Sequence, residues 1–297
     1  MASAFDEFLE TAWNDHADDA PAVAERLARA LEAIIAPEHV APYARIVTHV
    51  YGEHLGRYGD GVALLEQLRT LAAQDGSAAA TDAVARGIAV LRYCGGDPSV
   101  LAALAADERI VVLATASSAF AEQKAHKRAI AAYTEALALA CDGVADDSPA
   151  LRALAVGGNN LAAALEEKPD RDALETRGML AAAQGGLDYW RRVGTWLEEE
   201  RAELRVSSSR RSAGDYDGAI HHAQRCLTLC RANDAPAIEH FFGAAALALA
   251  QRSAGLVEEF DASRRLAHEW HERVDPAEHT WCETTAARLA DDDQVAR

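Results

Sequence analysis

Gly214-Asp215-Tyr216-Asp217-Gly218-Ala219-Ile220-His221-His222-Ala223-Gln224-Arg225-Cys226 is the stretch whose reading decides the fold. Glycine followed by aspartate stops one helix and starts the next. Ala219 and Ala223 then recur at helical spacing, so a strip of small side chains lets a neighbouring helix approach closely. The same design appears in Phe120-Ala121-Glu122-Gln123-Lys124-Ala125-His126-Lys127-Arg128-Ala129-Ile130-Ala131-Ala132-Tyr133-Thr134-Glu135-Ala136. There an aromatic ends one helix, Ala129 and Ala136 are small, and Tyr133 fills the gap between them. Both stretches predict an antiparallel pair of helices.

Outward from these two, turn signals recur at Gly56 to Gly61, Gly95-Gly96-Asp97-Pro98, Lys168-Pro169-Asp170, Ala254-Gly255 and Asp275-Pro276. Segments of roughly 12 to 20 residues separate them, the usual length of a globular helix. The composition agrees, because alanine, leucine, glutamate and arginine form helices well. Runs of β-branched residues are nearly missing. Ile110-Val111-Val112-Leu113 is the exception, and it continues into Ala114-Thr115-Ala116-Ser117, which predicts buried helix. The sequence therefore predicts an all-α chain of about fourteen helices paired into six or seven hairpins.

The interval of small, aromatic and small residues around Ala129 and Ala219 resembles the tetratricopeptide-repeat (TPR) family. Gly56 to Gly61 with Leu65 and Leu68 is a weaker match, and Asn159-Asn160-Leu161-Ala162 is similar to a run in the longer, kinesin-light-chain-type repeats. The chain departs from the pattern at Lys168-Pro169-Asp170, where a glycine turn is expected, and at Gly178, where a bulky residue is expected. The likeness covers about two-thirds of the chain. It implies antiparallel helix-pair repeats stacked as a right-handed α-α superhelix, a TPR-like solenoid forming a single domain over residues 1–297. Residues 1–50 are expected to be N-terminal capping helices, 51–275 the repeat hairpins, and 276–297 a C-terminal capping helix and acidic tail. On the residues alone, a non-repeating helical domain is the alternative.

Charge and motifs restrict function. A formal charge of −18 opposes binding to nucleic acid or an anionic membrane, since either needs a basic footprint. No apolar run reaches about 18 residues, and the opening residues lack signal-peptide character, so the expectation is cytoplasmic. Five cysteines, Cys94, Cys141, Cys226, Cys230 and Cys282, are scattered and odd in number, which fits reduced thiols. No phosphate loop, dinucleotide fingerprint, Gly-x-Ser-x-Gly elbow or Cys-x-x-Cys pair is present, so no cofactor and no catalytic role are expected.

The resemblance implies that the first helix of each hairpin lines a concave groove. On the helix before Gly214, Arg201, Arg205, Ser208 and Arg211 fall on one face. Arg201 and Arg205 stand where a carboxylate-clamp repeat carries paired basic residues, and Asn160 stands near its asparagine. Ala114 and Ser118 stand where that clamp needs a lysine and another asparagine, which departs from it. Guanidiniums aligned in this way bind carboxylates bidentately. The implied partner is a peptide or protein segment, carboxylate-bearing, held by a non-catalytic scaffold. Pairing of the arginines with Glu198, Glu199, Glu200 and Glu203 on their own helix is the competing arrangement. Trp190 and Trp196 are placed at the groove's rim.

Two other functions stay open. One is a helical-repeat regulatory sensor of a small peptide or metabolite. The other is a metal-dependent enzyme using His268, His271 and His279, with Cys282 in reach, because His268 and His271 lie one helical turn apart. Cys226 and Cys230 are read as small apolar side chains on the packed stripe.

Overall fold

The computed structural model describes residues 4–34, 36–75 and 78–290. Among these residues there are fourteen α-helices and no strand, as the sequence predicts. The acidic tail expected at 291–297 lies outside the described residues. No described helix is long and apolar enough to cross a membrane.

The chain divides into two compact units, Met1–Gly157 and Gly158–Arg297. The first contains α1 (Ala4–Asp15), α2 (Ala20–Arg29), α3 (Pro37–His49), α4 (Tyr58–Asp75), α5 (Ala78–Cys94), α6 (Ala106–Glu122), α7 (His126–Ala140) and the first part of α8 (Pro149–Glu166). The second contains the rest of α8, then α9 (Ala173–Val193), α10 (Trp196–Ser212), α11 (Tyr216–Ala232), α12 (Ala237–Ser253), α13 (Val257–His271) and α14 (His279–Ala290). A π-helical turn, Val50–His54, follows α3.

Each unit has its own apolar core. In the first, Tyr43, Ile46, Leu65, Leu68 and Leu91 are fully buried. In the second, Phe241, Ala244, Ala248 and Cys282 are. Ile110, Val112 and Leu113 are buried within α6, which confirms the helical reading of that β-branched run.

The hairpins repeat at atomic detail. In the α6–α7 pair, Ser117 Oγ donates to the Ala129 carbonyl at 3.0 Å. In the α10–α11 pair, Ser207 Oγ donates to the Ala219 carbonyl at 2.8 Å. Both serines and both alanines are buried, so a small hydroxyl meets a small residue between the two helices of each hairpin. Tyr133 does fill the gap assigned to it, and its hydroxyl donates to the Leu154 carbonyl at 2.8 Å.

The turns repeat as well. α6, α10 and α12 each end with a left-handed residue, Lys124 (φ 58°), Gly214 (φ 83°) and Gly255 (φ 75°). The residue after it donates back across the turn, Ala125 to Phe120 at 2.8 Å, Asp215 to Arg210 at 2.9 Å and Leu256 to Gln251 at 3.0 Å. This is the Schellman closure, which satisfies carbonyls that a helix end leaves open. Glycine takes that backbone region without a steric penalty, whereas Lys124 does not.

Candidate functional site

The predicted binding helix, α10, begins at a capping box. Thr195 N–H donates to Glu198 at 2.8 Å, and the Thr195 hydroxyl accepts from the Leu197 N–H at 3.3 Å. Its sequence, WLEEERAELRVSSSRRS, carries charge on nearly every side, so no clean apolar face separates from a polar one. The helix is packed by polar contacts instead, and Glu200, Glu203, Ser207 and Ser209 are all buried.

Glu203 is held from two neighbouring helices. Arg191 of α9 and His222 of α11 each donate to it at 2.6 Å, and Arg225 Nε lies 3.5 Å away. Burial alone would raise this carboxyl, but His222 and then Arg191 outweigh it and hold it below the ordinary value.

Glu200 has no such cation. Cys226 Sγ donates to its Oε1 at 2.7 Å and Cys230 Sγ approaches at 3.6 Å, while Oε2 makes no hydrogen bond. Burial first, then the adjacent Glu239 carboxylate, push Glu200 up to about 7 against the pull of the Cys226 thiol. The two cysteines do lie on the packed stripe, as expected, but they serve as hydrogen-bond donors to a buried acid. Gly243 of α12 keeps this place open: a Cβ there would sit 2.9 Å from Cys226 Sγ and 3.0 Å from Leu227 Cδ2.

The four arginines of α10 differ in their partners. Arg201 binds Glu239 of α12 through Nε at 3.2 Å and through Nη2, with the guanidinium largely exposed and the carboxylate buried. Arg205 Nη1 binds Glu166 of α8 at 2.6 Å, and Ser209 Oγ donates to the other oxygen of the same carboxylate at 2.5 Å. Arg210 binds Asp215, which also caps α11, at 2.6 Å. Arg211 is half-buried and has no carboxylate within 4.0 Å among the described residues. Burial, together with the neighbouring Arg288 and Arg252 charges, draws its pKa below the usual arginine value, and Glu166 only partly offsets them.

The sequence placed the arginines together on one helix, α10, but not the partners they take there. Arg201 and Arg205 do not pair with glutamates of their own helix. Their partners come from α12 and α8, because Glu199 and Glu203 are already taken by Arg191 and Arg225. Ser208 is half-buried on α10, and Asn160 is half-buried on α8, where Glu166 and not Asn160 is the residue that meets Arg205. Glu166 and Glu239 are the partners that the sequence did not single out. Their signal was present only as acidic residues at the end of α8 and the start of α12, a placement that surface residues share.

The metal set proposed from His268, His271 and His279 does not form. His271 and His279 stack at 4.9 Å between ring centroids, and the His279 Nε2 faces the Val274 carbonyl at 3.1 Å. His268 is exposed, Cys282 is buried, and among the described residues these side chains do not converge on one point. The i, i+3 spacing that suggested a shared face is overridden by packing, since His271 turns inward against Phe241.

No family model matches the chain, and no curated protein matches it. Solved structures do. BtubC (BKLC) from P. vanneervenii is 14% identical over 91% of this chain and 92% of its own, with a TM-score of 0.47. A putative kinesin light chain with nearly identical TPR-like repeats from Podosopora anserina is 12% identical over 80% of this chain and 97% of its own, with a TM-score of 0.48. A signal transduction ATPase with a tetratricopeptide repeat sensor from Pyrococcus horikoshii is 14% identical over 92% of this chain and 43% of its own, with a TM-score of 0.48.

Proposed function

We propose that this helical-repeat chain is a protein-interaction scaffold without catalysis of its own, and that it binds an acidic, carboxylate-bearing peptide or protein segment along the face of α10 carrying Arg201, Arg205, Ser208 and Arg211. The observation that supports this is Arg211. Three arginines of α10 have a carboxylate at 3.2 Å or less, while the fourth is half-buried beside Arg252 and Arg288. A guanidinium stays charged under all ordinary conditions, so concentrating three of them favours an anion from outside. Arg201, with its exposed guanidinium, extends the same face.

The test must separate binding from folding. Replacing Arg201 or Arg205 strands a carboxylate, the buried Glu239 or the half-buried Glu166, and costs stability whether or not a ligand exists. Arg211→Gln strands nothing and relieves like-charge crowding. Fluorescence anisotropy with a panel of acidic and amidated peptides is expected to find binders among the acidic ones. Arg211→Gln should weaken them at least tenfold, the loss of one charge-assisted contact of about 1.4 kcal/mol. The melting temperature should not fall. Unchanged affinity in that variant, or no preference for acidic peptides, refutes the proposal.

A further inference from the structure

In the first unit, three histidines from separate elements meet. His16 lies just past the end of α1, His49 ends α3, and His54 ends the π-helical turn Val50–His54. Their ring centroids form a nearly equilateral triangle, 4.9 Å for His16–His49, 5.0 Å for His16–His54 and 4.8 Å for His49–His54. The rings stand edge-on to one another, at 61°, 82° and 79°. One nitrogen from each lies within 4.8 Å of the others.

The outward nitrogens are already engaged. His16 Nδ1 faces the Trp13 carbonyl at 2.5 Å, and His49 Nδ1 faces Glu53 Oε1 at 3.1 Å. An acceptor at Nδ1 fixes the N–H there and leaves Nε2 as the lone-pair side, and a carboxylate in that place is the usual support of a metal-bound imidazole. The Nε2 atoms of His49 and His54 are 3.1 Å apart. Two Zn–N bonds of about 2.05 Å at a tetrahedral angle put their nitrogens about 3.3 Å apart, so the pair needs almost no movement to share an ion.

The backbone is built to hold this arrangement. On an ordinary α-helix, residues five apart point in different directions, and the wider π turn is what brings His49 and His54 together. Such turns are uncommon and concentrate at functional sites. Here Gln123, the residue that follows α6, secures the turn, its Nε2 donating to the Glu53 carbonyl at 2.5 Å and the His54 carbonyl at 3.2 Å. Gly56, in the left-handed region at φ 60°, then lets the chain leave, and a Cβ there would meet Gln123 Oε1 at 2.9 Å. Trp13, with Arg45 over its ring at 5.3 Å, forms a wall beside His49.

We propose that His16, His49 and His54 bind a divalent ion of the zinc class through their Nε2 atoms, with Glu53 as the supporting carboxylate. Three neutral imidazoles suit a borderline ion such as Zn²⁺ and disfavour Mg²⁺ and Ca²⁺, which require oxygen donors. All three histidines are half-buried, and an ion held by three protein ligands takes water as its fourth.

A rival set of donors exists in the second unit, where Cys226 and Cys230 flank Glu200, and the experiment separates the two. Full-length chain without an affinity tag is stripped with chelator and titrated with Zn²⁺ against a chromophoric competitor, then with Co²⁺ for its visible spectrum. One equivalent of Zn²⁺ is expected, with a Co²⁺ spectrum lacking thiolate charge transfer. His16→Ala, in the loop after α1, should weaken binding by more than about 100-fold, and Glu53→Gln by about 10–100-fold, the range for a supporting carboxylate. His54→Gln supplies a second ligand variant, with circular dichroism to confirm the fold. A double Cys226→Ser, Cys230→Ser variant should bind as the parent does. Absence of Zn²⁺ binding, binding unchanged in His16→Ala and His54→Gln, or loss only in the cysteine variant each overturns the proposal.

Discussion

Glu200 makes the second unit's stability depend on pH in an unusual direction. The folded protein holds its carboxyl up to about 7, against an ordinary value of 4.5 in the unfolded chain. Between those two values the folded state keeps a proton that the unfolded state has lost. The stabilisation is therefore complete below about 4.5 and is lost as the pH rises through 7. One proton gives a slope of at most about 1.4 kcal/mol per pH unit, and the whole interval amounts to about 3 kcal/mol. Carboxylates paired with cations act in the opposite sense, as the buried Glu203 does with its lowered value.

Glu200→Gln isolates this contribution. The amide keeps the size and a hydrogen-bond acceptor for the Cys226 thiol but cannot ionise. Urea unfolding is followed at pH 5, 6, 7 and 8 by tryptophan fluorescence, which reports the second unit, because of the five tryptophans only Trp13 lies in the first. Subtracting the variant's stability from the parent's cancels the other titrating groups. The difference should favour the parent more at pH 5 than at pH 8 by about 2.5 kcal/mol, with most of the change below pH 7. A difference constant to within about 0.5 kcal/mol, or one rising with pH, refutes the assignment of Glu200 as a buried acid kept neutral.

Two further substitutions test the repeat itself. Lys124→Gly should raise stability by about 0.5–1 kcal/mol in thermal or urea unfolding, because the α6–α7 turn then takes its left-handed residue without strain, as Gly214 and Gly255 already do. Ser207→Ala should lower it by about 0.5–1.5 kcal/mol, since the buried Ala219 carbonyl loses its second donor and keeps only the helical one, and Ser117→Ala should cost a similar amount at Ala129. Equal effects at these two serines are the expected mark of a repeated hairpin.

The helices were legible because their signals are local. A glycine that ends a helix and a strip of alanines at helical spacing act within a few residues, and Gly214, Ala219 and Ala223 play the parts assigned to them. Lys124 was harder, since the αL place at the end of α6 carries a residue that does not advertise it. The arginines of α10 were legible in sequence position but not in partners. Sequence spacing favours i, i+4 pairs, whereas Glu166 and Glu239 reach α10 from other helices, a result of tertiary packing. The C-terminal histidines drew notice because they are close in sequence, yet they do not converge. His16, His49 and His54 do converge, and they depend on a π turn that residue periodicity does not reveal.

The charge distribution around α10 gives Arg211 its weight. The chain has 47 acidic and 29 basic residues, so carboxylates are plentiful. A shortage of acids cannot explain an arginine without one. Glu166 is the acid nearest in effect, but Arg205 and Ser209 each occupy one of its oxygens. A fold selected for stability alone gains by replacing Arg211 with a neutral residue, because burying a cation beside two others costs energy that Glu166 returns only in part. An anion docking against Arg211, Arg252 and Arg288 returns it at the moment of binding, when desolvation strengthens each contact. The cost is then carried by the free protein and recovered in the complex, and Arg211→Gln should separate the two states in opposite directions: no loss of stability when free, and loss of affinity when a partner is present.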